Sequence, residues 1–404
     1  MAKTMDQSAQ DEEYEKIHQA FEAIKQKHRD DLGEKDVRYI KKIRRNSRIF
    51  EVIGRSLIHI LPGPFALIGV PFLFLHRNLE AIEIGHNVLH GQYDSFDEIP
   101  QFHAQNFRWK APVDETSWRQ EHNAVHHVHT NVYEKDPDLN HGFLRVNSQV
   151  PHTRLHYFQV PIYLFLFYPF MLYNFNAQNL GVVDKFRKKY FPEGNKGYAV
   201  LDESLRLSKA EGKKRHKRAV RRIWAKEYVL FPLLALLTGF GAIKVFLANL
   251  LADVMNSYWI ALTIQATHFT EPLQPEDAIK NKGKWYISQL DSSVNFKGNR
   301  WQSILWGHLN YQVEHHLFPD IPAHRYPDMA LEVQAVCQQY NLPYKSNDSW
   351  RAAIKKFVGA MWTYSFKNPE VKDEASFLDK AALLNKAALL NNEALLNKEA
   401  TNVK

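Results

Sequence analysis

Three histidine clusters hold the side chains best suited to chemistry in this chain. They read Gly85-His86-Asn87-Val88-Leu89-His90, His122-Asn123-Ala124-Val125-His126-His127 and Gln312-Val313-Glu314-His315-His316. On a helix, residues four apart share a face, so His86 with His90 and His122 with His126 can each aim two imidazoles at one point. Gln312 and His315, three apart, can do the same, and His316 adds a further ring. Neutral imidazole ligates iron, copper, zinc or nickel, and no carboxylate is needed to make the bond. A single such pair is usually an ordinary core or surface histidine. Three clusters, all close to apolar runs of membrane length, are hard to explain as packing, and we read them as one metal site.

Such a site needs elements that bring the clusters together. The chain has 404 residues, a net charge of +8 and one cysteine, Cys337. Its pI is near 9.2 and its mean hydropathy is −0.43. Hydropathy that low leaves room for few spans, joined to large water-facing segments. One cysteine excludes an intramolecular disulfide and a Cys-rich zinc or iron–sulfur centre. The N-terminus is polar and charged through Arg48, with no short apolar region of the kind that marks a secretory signal. The expected fold is an all-α integral membrane protein, with two transmembrane helical hairpins (about four spans) and a cytoplasmic helical cap carrying the histidines. Four segments are expected: a cytoplasmic N-terminal helical segment at 1–47, a membrane domain with the three boxes at 48–330, a cytoplasmic helical region at 331–370, and a low-complexity tail at 371–404.

Along the chain, residues 1–47 carry a weak apolar stripe (Tyr14, Ile17, Phe21, Ile24) and read as solvated helix. Residues 49–76 are apolar but broken by Pro62-Gly63-Pro64, which predicts two helices joined by a tight turn. The first arm is short against the roughly 20 residues that cross hydrocarbon, so it starts earlier or sits at an angle. The second runs past Glu80 and Glu83 to the first box. Residues 157–175 are long enough to cross. The basic loop that follows, including Arg187, Lys188, Lys213, Arg218 and Arg222, should be cytoplasmic, and one crossing would put it opposite the second box. We therefore read 157–175 as interfacial or re-entrant, in keeping with its Tyr and Phe content. A second hairpin is expected over 228–266, around Gly239-Phe240-Gly241. It ends near His268, which makes that lone histidine a candidate ligand. Asp94, Glu121, Asp136 and Asp138 are candidates to orient imidazoles from behind. The tail repeats Lys-Ala-Ala-Leu-Leu-Asn, and a six-residue period forms no single apolar face.

The donor set narrows the chemistry. A zinc protease would want His-Glu-x-x-His, and Asn87 stands where the Glu should be. Soluble di-iron proteins use two Glu-x-x-His pairs, and Glu83-x-x-His86 is the one match. Zinc takes four ligands, fewer than the donors available. Two metals held mainly by imidazole suit oxygen activation, and the membrane setting points to a long hydrocarbon substrate. The trio HxxxH, HxxxHH and QxxHH, with two helical hairpins between, resembles the membrane fatty-acid desaturase family over most of residues 49–330. The stretch from Gly307 to Pro319 is especially similar to that family's third box, in the branch with Gln at its first position, which includes front-end and several bacterial acyl-CoA desaturases.

The resemblance implies a non-haem di-iron centre that uses O2 and two electrons to remove two hydrogens from an acyl chain. It implies as ligands His86, His90, His122, His126, His127, His315 and His316, with His268 after the last span and Gln312 where some members have histidine. Some members carry Asn one turn before the post-span histidine; this chain has Ile264, with Gln265 beside it. The expected substrate is a long-chain acyl-CoA or acyl lipid, with Δ9 as the commonest position. Trp109, Trp118, Trp285, Trp301 and Trp306 are candidates to line or cap its tunnel, and Lys110, Arg119 and Arg145 to meet coenzyme A phosphates. No His-Pro-Gly-Gly stretch occurs, so electrons are expected from a separate ferredoxin, cytochrome or flavin reductase. The basic charge suits membrane lipid and an acidic donor, and no nucleic-acid partner is expected. The expected location is a bacterial inner membrane, with the site on its cytoplasmic side. Two rivals remain: a hydroxylase of the same superfamily, and a His-rich metal transporter, which should place its ligands within the spans.

Overall fold

The computed structural model of the protein describes residues 2–133, 135–140, 144–182, 208–237, 241–367 and 375–380. It is built of helices, with one parallel pair of two-residue strands, β1 (Asn295–Phe296) and β2 (Ser346–Asn347). Two long helices open the chain, α1 (Ala2–Asp30) and α2 (Glu34–Ile60). At the head of α2, the Asp36 carboxylate accepts the Gly33 N–H at 2.9 Å, which satisfies a donor the helix itself cannot. After the turn at Leu61 and Pro62 comes α3 (Gly63–Leu89), ending at the first box. The first arm of the hairpin does start earlier, because its apolar half is the end of α2.

The second box lies on α4 (Glu115–Trp118), whose Asp114 cap accepts the Ser117 N–H at 3.0 Å, and on the wide π-helical turns Arg119–His126 that continue it. Next comes α5 (Arg154–Asn179). The second hairpin pairs α6 (Lys209–Trp224), extended through Ala225–Leu230 and Phe231–Leu237, with α7 (Ala242–Gln265). Its tip at 238–240 and most of the basic loop (183–207) lie outside the described residues, as does the repeat tail beyond Lys380. Five shorter helices follow: α8 (Lys282–Asp291), α9 (Arg300–Leu305), α10 (Gln312–Leu317), α11 (Tyr326–Gln339) and α12 (Trp350–Thr363).

Among the described residues, three helices are long and apolar enough to cross a membrane: α3, α5 and α7. The chain is thus mostly helical and carries membrane-length helices, as its pattern predicts. Arginines tie the hairpins together. Arg77 meets Glu227 at 2.7 Å and Asp253 at 2.8 Å, and Arg55 meets Glu227 at 2.8 Å. Buried charges are tolerated when paired in this way.

The expected segment boundaries do not coincide with structural ones. Position 47/48 falls inside α2 and 330/331 inside α11. Nor is α1 merely solvated, since Ile17, Phe21 and Ile24 are buried in one core with Tyr286, Phe318, Tyr326 and Met329. A stripe too weak to mark a span is strong enough to dock a helix on the cap.

One helix has conflicting credentials. By length and composition α5 could cross, yet both its ends are fastened to the segment around the second box. Gln159 exchanges hydrogen bonds with the Arg145 backbone at 2.9 and 3.0 Å, and Asn176 accepts the Asp114 N–H at 2.9 Å. Tyr157, Phe158, Phe165, Leu166 and Phe170 face outward.

Candidate metal centre

Four elements deliver the histidines. The end of α3 is π-helical over Leu79–His86 and presents His86 and His90, with ring centroids 4.7 Å apart. The turns after α4 present His122 and His126, 5.0 Å apart, followed by His127. Both boxes thus sit on π-helical turns, a feature frequent at functional sites. His268 follows the end of α7. The third box is α10, entered through a left-handed turn at Gly307 (φ 62°) and His308 (φ 59°). A Cβ at Gly307 would lie 2.7 Å from Ile82, so glycine allows the turn to lie against α3.

All eight histidines converge and all are buried. His90 lies 4.7 Å from His127 and 4.8 Å from His315; His127 lies 4.5 Å from His316; His126 lies 5.0 Å from His268. Their donor atoms fall into overlapping groups within 4.8 Å. His86, His90, His122 and His315 form one, His126, His268 and His316 another, and His127 joins His315 and His316 between them. Each of these groups could hold a metal ion. Gln312 is buried at the start of α10 with its Oε1 lacking a hydrogen-bond partner.

The polar bookkeeping fits a metal. Both ring nitrogens of His122 and His127, and Nε2 of His90, His126 and His316, are buried with no hydrogen-bond partner. Buried polar atoms are rarely left so, and metal ions would satisfy these together. Burial, reinforced by the neighbouring rings, holds His90, His122, His127, His315 and His316 well below the usual histidine value, so each keeps the bare lone pair a metal needs.

His126 differs. Burial would lower it too, but the Asp136 and Asp138 carboxylates push it up to about 9. Its Nδ1 donates to Asp136 at 2.8 Å, and the backbone N–H groups of Asn131 and Asp138, each at 2.8 Å, hold that carboxylate in place. His316 and His86 lean on amides instead. His316 Nδ1 faces Gln289 Oε1 at 3.2 Å, and His86 Nδ1 faces Asn87 Oδ1 at 3.1 Å. An amide oxygen only accepts, so Nδ1 carries the proton in both rings and Nε2 is bare. Of the four proposed orienting carboxylates, Asp136 bonds an imidazole, Asp138 lies 3.8 Å from His122 and His126, and Glu121 adds to the field on His126. Asp94 does not take part, because it accepts the Ala104 N–H at 2.6 Å. Sequence reasoning missed Gln289 and Thr130, whose hydroxyl lies 3.1 Å from His316 Nδ1. Nothing in their local sequence marks them.

A narrow cavity of about 40 Å³ runs up to His86 and His122, walled by Ile82, Met171, Leu172, Phe175 and Ile260. Trp109 and Trp118 line it, as do Ile264 and Gln265, whose side-chain oxygen accepts from the Tyr168 hydroxyl. The other tryptophans do not: Trp306 is buried against Trp259, Trp285 packs in the α1 core, and Trp301 is exposed. Arg145 is also no phosphate ligand, since it is buried and donates to the carbonyls of Val150 and Tyr364, each at 2.7 Å. Lys110 pairs with Glu80 at 3.3 Å.

An apolar cavity that meets buried imidazoles suits chemistry on a hydrocarbon chain. Comparison with known proteins gives the class: residues 60–347 match the fatty acid desaturase family. The chain is 31% identical over 358 residues, 85% of its length and 80% of the relative's, to an NADPH-dependent stearoyl-CoA 9-desaturase of Mycobacterium tuberculosis. It is 26% identical, over 72% of its length and 78% of the relative's, to an sn-1 linoleoyl-lipid 6-desaturase of Synechocystis. An acyl-lipid (8-3)-desaturase of Mortierella alpina matches 58% of the chain at 29% identity, over 51% of its own length. The chain belongs to the fatty acid desaturase family and is an oxygen-dependent oxidoreductase acting on acyl chains.

Proposed function

We propose that this desaturase introduces a cis double bond at Δ9 of a long acyl chain carried as a coenzyme A thioester. The observation that carries the reading is the convergence of eight buried histidines at the end of an apolar cavity. The M. tuberculosis relative, named for stearoyl-CoA and position 9, supports the choice of substrate. In this reading His86, His90, His122, His126, His127, His268, His315 and His316, with Gln312, hold two irons. The irons, when bound, supply the redox chemistry that couples O2 to removal of two unactivated hydrogens. The chain's own residues do the rest. Ile82, Met171, Leu172 and Phe175 exclude water and fix one methylene pair beside His86 and His122. Asp136, Gln289 and Asn87 fix the ring orientations. Electrons come from a separate ferredoxin, cytochrome or flavin reductase.

The two hairpins anchor the protein in a bacterial inner membrane, with α5 along the interface and the metal centre on the cytoplasmic side. The test is expression in a host lacking unsaturated fatty acids, mapping of the new double bond, and metal analysis of the purified protein. The expected result is a Δ9 alkene and about two irons per chain. A hydroxylated chain would favour the hydroxylase instead, and exchangeable zinc in place of iron would end the oxidative reading.

A further inference from the structure

Trp109 and Trp118 lie in series between a charged hollow and the histidines. Their ring centroids are 5.3 Å apart. Trp118 stacks on His122 at 4.4 Å and meets His86 at 5.4 Å and His90 at 5.3 Å. Trp109 lines the apolar cavity on one side and a charged hollow on the other. Two more hollows adjoin that one, and all three meet at Arg108.

Lys41, Arg44, Arg108, Lys110, Arg218 and Arg222 line these hollows, from α2, the segment before α4, and α6. Fewer carboxylates than cations line them, and of these Glu80 pairs with Arg44 and Lys110 and Glu115 pairs with Arg222. Arg222 donates to the Trp109 carbonyl at 2.8 Å, which ties the rim to the ring chain. Arg108 is exposed and makes no ion pair or hydrogen bond among the described residues. Burial lowers the Lys110 ammonium to about 8, with Arg44 and Arg48 adding to the shift and the Glu80 carboxylate opposing it.

We propose that this basic face is the docking site of an acidic one-electron carrier protein, and that its electrons pass through Trp109 and Trp118 to the histidine cage. The proposal rests on the desaturase reading and names the partner of that site. Per turnover the carrier gives two electrons, one at a time, and solvent gives two protons. The acyl chain gives two hydrogens, O2 is reduced, and two waters leave. Cations drawn from three elements make a broad rim, and such a rim steers an oppositely charged protein and fixes its orientation. The packed rings bridge a single tunnelling step from carrier to cage, and neither ring is itself reduced or oxidised.

The test measures binding to the full-length, metal-free protein in detergent, so it needs no turnover. A plant-type [2Fe–2S] ferredoxin and the soluble domain of cytochrome b5, both acidic, are the probes, and basic cytochrome c is the control. At least one acidic carrier should bind at low salt and weaken as salt rises, and cytochrome c should not bind. Because Arg108 and Arg218 are exposed, Arg108→Glu with Arg218→Glu should spare the fold and weaken binding about tenfold or more. Trp109→Leu should keep the affinity and slow reduction of the iron-loaded protein. Failure of both acidic carriers to bind, or indifference to the charge reversals, overturns the docking site. An unchanged reduction rate in Trp109→Leu overturns the path. If the reversals instead abolish binding of free coenzyme A and leave carrier binding intact, the face is a substrate-head site and the proposal is wrong. A missing double bond in the product assay would defeat the desaturase reading without touching this binding result.

Discussion

At the scale of single residues, the eight imidazoles are not equivalent. His126 is backed by a carboxylate, whereas His316 and His86 are backed by neutral amides. A carboxylate behind a ligating imidazole fixes its tautomer and raises its basicity, and losing such a partner typically costs about 10–100-fold in metal affinity. Asp136→Asn should therefore keep the fold and lower the metal retained after dialysis against a chelator by that factor. Equal retention in variant and wild type would mean that Asp136 only braces the Asn131 turn.

At the scale of elements, the boxes depend on how closely helices approach. Gly85 precedes His86, and a Cβ there would lie 1.9 Å from Trp109 Nε1. That indole also donates to the Ala81 carbonyl at 3.0 Å, so it cannot easily withdraw. Gly85→Ala should destabilise the fold by about 1–3 kcal/mol, read as a lowered Tm together with lost metal. The placement of α5 is testable because Cys337 is buried, with its thiol pushed up to about 12, and makes a quiet background. Cysteines at Arg154→Cys and Val182→Cys should react with an impermeant maleimide from the same side of the membrane, and Pro64→Cys at the hairpin tip from the other. Labelling of 154 and 182 from opposite sides would make α5 a span.

At the scale of the whole molecule, α1 and α2 clasp the cap through Asp36. Its carboxylate accepts from Arg325 at 2.7 and 2.8 Å and from the Gly33 N–H at 2.9 Å, and lies 3.0 Å from His324. Burial opposes its ionisation, but these partners outweigh burial and hold the carboxyl well below its usual range. A carboxyl lowered on folding contributes stability that is complete above its unfolded value, about 4, and is lost as pH falls through the folded one. Tm should therefore drop from about pH 4 downward. Asp36→Asn should have a lower Tm at pH 7 and a flatter acid limb. Parallel Tm–pH curves would rule out this linkage.

Much of the candidate metal site is legible in the residues alone. His86/His90 and His122/His126 announce themselves because helical spacing puts them on one face, and His268 because it follows an apolar run. Helix α3 and its Pro62 turn are legible because apolar length and proline act locally. Other features are not legible: Gln289 and Thr130 behind His316, the burial of Arg145, the docking of α1 and the fastening of both ends of α5. Each joins residues far apart in the chain, and neither spacing nor composition records which distant partner a side chain meets. The sequence by itself determined which side chains could bind metal and how each pair is aimed. Only the tertiary structure decided that four separate elements aim at one point, because convergence depends on packing between helices rather than on the period within any of them.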